Sequence, residues 1–207
     1  MAARSNMTLP THQTDCTRHR LTLKETCDEA LCAYRRTGVR QDHRCGCTRQ
    51  RGYVVVAEAA TDVIARQQAR GVDEPWERED FLHQVVELQR QRQLEAGGNG
   101  TVQIFDRSPL CSLALARYLQ QPVSLILTDE IARVVKDKIF EQDVFLLRPL
   151  GFVTATAARR ISYADSLEFE RIHEATYREH GFRLVDIAPG DVPTRATAVE
   201  SHIQSAL

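Results

Sequence analysis

From Tyr53 to the C-terminus, short aliphatic runs alternate with longer amphipathic stretches, and this alternation restricts the chain more than any other feature. The runs at 53–57, 101–105, 143–148 and 183–187 are too short for stable helices and rich in Val, Ile, Phe and Leu, which predicts strands. Between them lie helical patterns over 61–70, 79–96, 108–120, 127–140 and 166–180, with a last one from Pro193. Thr61 or Asp62 and Thr128 with Asp129 are the expected caps, Pro109 suits a first turn, and Gly181 closes the fifth helix. Strands separated by whole helices do not pair as hairpins. The expected fold is therefore α/β: a mostly parallel sheet with helices on both faces.

Residues 1–50 lack this order. Only 21–36, LTLKETCDEALCAYRR, suggests a short helix, and large aliphatic residues are sparse. The organisation expected is an irregular segment over 1–48, poorly packed at 1–30, followed by a folded domain over 49–207. Five of the six cysteines fall in this first part. Cys27 and Cys32, Cys45 and Cys47, with His43, supply enough ligands for zinc, although the C-x-C half matches structural zinc sites poorly. A formal charge of -1 gives no general attraction to nucleic acid or to anionic membranes. No apolar run approaches the roughly 20 residues of a membrane span, and the first residues lack a signal-peptide core, so a cytoplasmic protein is expected.

In doubly covered sheets, ligands bind beyond the carboxyl ends of the strands. Two acidic residues fall there. Asp106 ends the run Val-Gln-Ile-Phe, a position from which a carboxylate reaches Mg²⁺ in phosphoryl transferases, while an Asp here equally serves as a helix cap. Arg107 beside it suits a phosphate, or orients Asp106, or is its surface partner. Glu58 is placed either as a base toward an acceptor hydroxyl or as a cap of the helix that follows. Arg159 and Arg160 precede a helix, where a lid would bring cations to transferring phosphates; a solvated basic turn is the alternative. Trp76 lines an acceptor pocket or simply packs.

Taken together, Arg51-Gly52-Tyr53 through Gly71, Val102 through Leu119, and Arg148 through Ile187 resemble the small AAA-type P-loop ATPase and kinase group, which includes the nicotinamide-riboside kinase domain of the NadR regulator. The most specific pieces are Glu58 with the following Ala-Ala, the Asp106-Arg107 pair, and Ile172-His173-Glu174 through Tyr177 and Gly181. The resemblance covers about residues 49–207. It implies a nucleoside-kinase-like P-loop fold that binds ATP or GTP with Mg²⁺ and transfers phosphate to an acceptor the sequence does not specify. On that reading Asp106 serves the metal or acts as base, Glu58 faces the acceptor, and Arg107, Arg159 and Arg160 bind phosphates. A non-catalytic regulatory module on the same scaffold is the alternative, with the zinc module a third.

One part of the family pattern is missing. No G-x-x-x-x-G-K-[ST] loop occurs, and the three lysines, Lys24, Lys136 and Lys138, do not follow glycines. The first strand and its phosphate loop are therefore absent or replaced, and nucleotide binding is expected to be impaired. Yet Arg35 to His43, back-translated with GC-favoured codons, is CGG CGC ACC GGC GTC CGG CAA GAC CAC C. Read one base later, this gives Gly-Ala-Pro-Ala-Ser-Gly-Lys-Thr-Thr, a complete phosphate loop at the family's spacing. The codons of Arg44 to Thr48 then permit small apolar residues and Leu, and the printed frame rejoins the family near Arg49. Residues 1–48 read accordingly as an out-of-frame translation. Without a substitute from residues 20–35, the sheet would hold two unpaired strand edges and the chain would be marginal.

Overall fold

The computed structural model describes residues 31–35, 53–96, 102–149 and 163–206, the first of these by main chain alone. Strands β1 (Leu31–Arg35), β2 (Val54–Val56), β3 (Gln103–Asp106), β4 (Asp143–Leu147) and β5 (Arg183–Ile187) form one sheet in the order β2-β3-β1-β4-β5. β2 runs parallel to β3, and β4 parallel to β5. The central strand β1 is antiparallel to both neighbours: Ala33 lies opposite Phe105 on one side and Val144 on the other.

Two expectations are corrected here. The sheet is mixed, with two parallel and two antiparallel pairings, rather than mostly parallel, and Leu31–Arg35 is a strand rather than the end of a helix. The reason is hydrogen-bond accounting. A gap between β3 and β4 would leave two rows of buried peptide groups unpaired, at about 1–3 kcal/mol each. A short segment that fills both rows gains more than an isolated helical turn, whose nucleation is unfavourable.

The helices are α1 (Ala59–Gln68), α2 (Phe81–Glu95), α3 (Pro109–Tyr118), α4 (Leu125–Lys136), α5 (Tyr163–Glu179) and α6 (Val192–Ser205), with a 3₁₀ turn at Pro75–Glu77. α4 starts earlier than expected because the Leu127 N–H donates to Ser124 Oγ at 3.3 Å, making Ser124 the cap instead of Thr128 or Asp129. It also stops at Lys136, leaving Phe140 to turn inward against Phe105, ring to ring at 5.1 Å. α1 begins at Ala59, so Thr61 and Asp62 sit inside its first turn rather than capping it.

Alternating strand side chains divide the core between the two faces. Phe105, Val144 and Leu146 meet Leu110 of α3, Val134 of α4 and Tyr177 of α5. α1 and α2 extend this layer through Val63, Ile64, Phe81 and Val85, which pack with Leu115 and Phe169. On the opposite face, Ile104, Phe145 and Ile187 meet Val199 and Ile203 of α6.

Candidate functional site

The carboxyl ends of β2 and β3 bring Glu58, Asp106 and Arg107 together. β2 delivers the chain into α1 at Glu58, and β3 ends on Asp106 before a tight turn into α3. Arg107 takes φ +70°, a left-handed conformation that non-glycine residues adopt at a cost. This turn carries the arginine inward. Its Nε donates to Glu58 Oε1 at 2.8 Å, and each side chain is 8% exposed. The other carboxylate oxygen, Oε2, accepts from the Thr61 hydroxyl at 2.8 Å.

Arg92 of α2, which the sequence pattern does not single out, fixes the same strand end. Its Nη1 donates to the carbonyls of Ala57, at 2.9 Å, and of Glu58, at 2.6 Å, while Nη2 pairs with Asp62. No local motif marks this long-range contact. Only the position of Arg92 on the inner stripe of α2 hints at it.

Beneath the turn lies a buried polar cluster. Ser108 caps α3 by accepting from the Leu110 N–H at 3.2 Å, and its hydroxyl meets the Tyr177 hydroxyl at 2.6 Å. The expected capping Asp106 is thus replaced in that role by Ser108. Tyr177 also lies 3.2 Å from Cys111 Sγ. Burial raises the Cys111 thiol and drives the Tyr177 phenol well above its ordinary value, so neither ionises near neutrality. His173 Nδ1 lies 2.9 Å from the Phe169 carbonyl and donates to it; Nε2 is buried with no partner. Burial, with a contribution from Arg107, pushes this imidazole down to about 3, so it stays neutral. Burial also raises the Asp106 carboxyl; Arg107 opposes that shift and Glu58 adds to it.

Two small clefts flank the Glu58–Arg107 pair. One reaches Asp106 between α2 and α4, past Gln89 and Arg133; the other lies between α2, α3 and α5, walled by Phe81, Leu82, Leu115 and Phe169. Each holds about 20 Å³, room for a single water, so a larger ligand enters the second only if α2 moves off α3. Trp76 lines neither cleft. It packs in the core with Ala59 and Phe81, the structural alternative for this residue.

Among the described residues, none beside Asp106 is arranged to grip nucleotide phosphates. Arg107 faces a carboxylate. Lys136 ends α4 and Lys138 follows it before β4, at the opposite end of the sheet from Asp106. Among the described residues no glycine-rich turn stands beside Asp106. Arg159, Arg160, His43, Cys27, Cys45 and Cys47 lie outside the described residues, as does the side chain of Cys32. Among the described residues no three His, Cys, Asp or Glu side chains gather as a metal site, and no helix is long and apolar enough to cross a membrane.

A family model described as an AAA domain matches residues 48–195. The chain belongs to this AAA-domain family. Nucleotide-binding, P-loop ATPase-type function is what the family supports, and the α/β sheet agrees with a P-loop NTPase fold. No curated protein and no solved structure matches the chain.

Proposed function

We propose that this AAA-family domain derives from a small-molecule kinase, nucleoside-kinase-like in fold, and that it keeps the acceptor side of the site while its own residues no longer grip the nucleotide. The observation that supports this reading is the buried Glu58–Arg107 pair at the strand ends, beside a slot with aromatic walls. Burial of a charge pair is costly and seldom improves stability over apolar packing, so its presence at a ligand-binding edge favours a functional origin. In a chain of this fold that keeps the nucleotide grip, ATP or GTP with Mg²⁺ would supply the phosphoryl group. Here the chain's own residues orient Glu58: Arg107 and Thr61 hold its two oxygens, and Arg92 fixes its main chain.

Thermal melts against a panel of small hydroxylated ring compounds, nucleosides included, test the acceptor side. A compound present at about 100 times its Kd stabilises the chain by about 2.7 kcal/mol, a rise of several degrees that Glu58→Gln removes. No rise with any compound, or an equal rise in Glu58→Gln, sinks the acceptor reading. The runner-up, a non-catalytic regulatory module, is favoured by one observation: both Glu58 oxygens are already engaged.

A further inference from the structure

We infer that β1 is a stand-in: the sheet is built for a parallel strand leading into a nucleoside-triphosphate-binding loop, and the coding DNA carries that strand and loop one base out of the printed frame. This rests on the AAA-family reading and explains why none of the described residues beside Asp106 is arranged to grip nucleotide phosphates.

Strand polarity supplies the first support. β2, β3, β4 and β5 all point the same way, and only the central strand is reversed. Arg35 lies opposite Gln103, the first residue of β3, so the chain leaves β1 at the end where the other strands begin. Arg35 thus stands at the far end of the sheet from Asp106. A strand of opposite direction in the same slot would release its next residues beside Asp106 and Ser108. The shifted reading begins its glycine-rich loop at the codon of Arg35, the last residue of the segment that fills the slot.

The second support is the distribution of helices. Connections between parallel strands are right-handed. The steps β2 to β3, β3 to β4 and β4 to β5 all cross the sheet in one direction, which puts α1 to α5 on one face, as the core shows. A step from a parallel central strand to β2 runs the opposite way, so its helix belongs on the other face, above β3 and β2. There Tyr53, Val55 and Val102 are only half-buried, beside the cluster that α6 covers. The shifted codons of Arg44 to Thr48 permit small apolar residues and then Leu, suited to a helix packed on that surface.

The family match gives the third support. It begins at residue 48, where the printed frame rejoins the pattern.

Two measurements decide the matter. The first is the coding DNA of residues 31–48, read one base later. A hydrophobic strand followed by G-x-x-x-x-G-K-[ST] is expected; any other translation overturns the inference, whatever the folding of either protein. The second is titration of a fluorescent ATP analogue, with Mg²⁺, into the printed chain and into a chain translated in the shifted frame through codon 48 and in the printed frame thereafter. The frame-restored chain is expected to bind at micromolar concentration and the printed chain at least about a thousandfold more weakly, the effect of losing about three charge-assisted hydrogen bonds. Micromolar binding by the printed chain, or a restored chain that melts cooperatively without binding, overturns the inference. A restored chain that binds the analogue but phosphorylates no small alcohol sustains it and removes the kinase reading instead.

Discussion

Arg107 Nε stands 2.8 Å from Glu58 Oε1, with both side chains nearly out of water. The pair ties the carboxyl end of β3 to the entrance of α1, and it commits the guanidinium to a carboxylate. Removing one partner leaves the other charge buried and uncompensated, at about 3–5 kcal/mol. Arg107→Met is therefore expected to destabilise strongly, whereas Arg107→Met with Glu58→Gln recovers part of the loss. Urea unfolding of the two single variants and the double variant measures the coupling. Strictly additive losses would show that the pair is not interacting.

The left-handed turn at Arg107, φ +70°, separates the backbone cost from the charge. Both Arg107→Gly and Arg107→Ala lose the guanidinium, but glycine adopts this conformation freely and alanine does not. The glycine variant is expected to be more stable than the alanine variant by about 1 kcal/mol. Equal midpoints in urea would mean that the turn relaxes once the arginine is gone.

His173 sets a pH limit. Its folded value is depressed to about 3 by burial, below the ordinary 6.5, so the unfolded chain binds a proton that the folded chain refuses. Stability is then full above pH 6.5 and falls as the pH drops toward 3, by up to about 1.4 kcal/mol per unit, or about 2 kcal/mol at pH 5. His173→Asn, whose amide can still donate to the Phe169 carbonyl, is expected to flatten the melting temperature between pH 6.5 and 5. An unchanged slope would assign the acid sensitivity elsewhere. Asp143 is lowered because the Arg183 and His202 bonds outweigh its burial, and its contribution is lost at lower pH, below the ordinary carboxylate value.

What the sequence makes legible follows from range. β2, β3, β4 and β5 are short aliphatic runs readable one by one, and their carboxyl ends place Glu58 and Asp106 without knowledge of the fold. The ends of α4 are not so legible: Ser124 and Thr128 are equally good local caps at its start, and at its other end the packing of Phe140 against Phe105 decides where the helix stops. β1 is illegible for a stronger reason: Leu31–Arg35 has no strand signal of its own, and the slot between β3 and β4 imposes the conformation. Arg92 and Tyr177 act across long sequence separations, on the Glu58 carbonyl and the Ser108 hydroxyl, and a one-dimensional pattern carries no trace of either contact.

The Ser108–Tyr177 contact ties the turn after β3 to α5. Ser108→Ala removes the cap of α3 and one partner of a buried phenol, together about 2 kcal/mol. Adding Tyr177→Phe removes the hydroxyl left with Cys111 Sγ alone, so the double variant is expected to lose less than the sum of the single variants. Chemical denaturation reads the difference, and full additivity would count against the hydrogen bond.

The central strand offers the most direct test of the sheet itself. Ala33 is paired on both sides, opposite Phe105 and Val144, so Ala33→Pro removes an N–H from a ladder that has no solvent edge. Proline is confined to edge strands for this reason. The stranded carbonyl alone costs about 1–3 kcal/mol, and the proline ring adds steric strain against the neighbouring strand. Ala33→Pro is therefore expected to lower the melting temperature by several degrees or to abolish the cooperative transition. Thr37→Pro, just beyond the strand, is expected to be far milder. Equal effects of the two substitutions, or none from Ala33→Pro, would mean that Leu31–Arg35 does not fill the slot, and that β3 and β4 close on each other or on another segment.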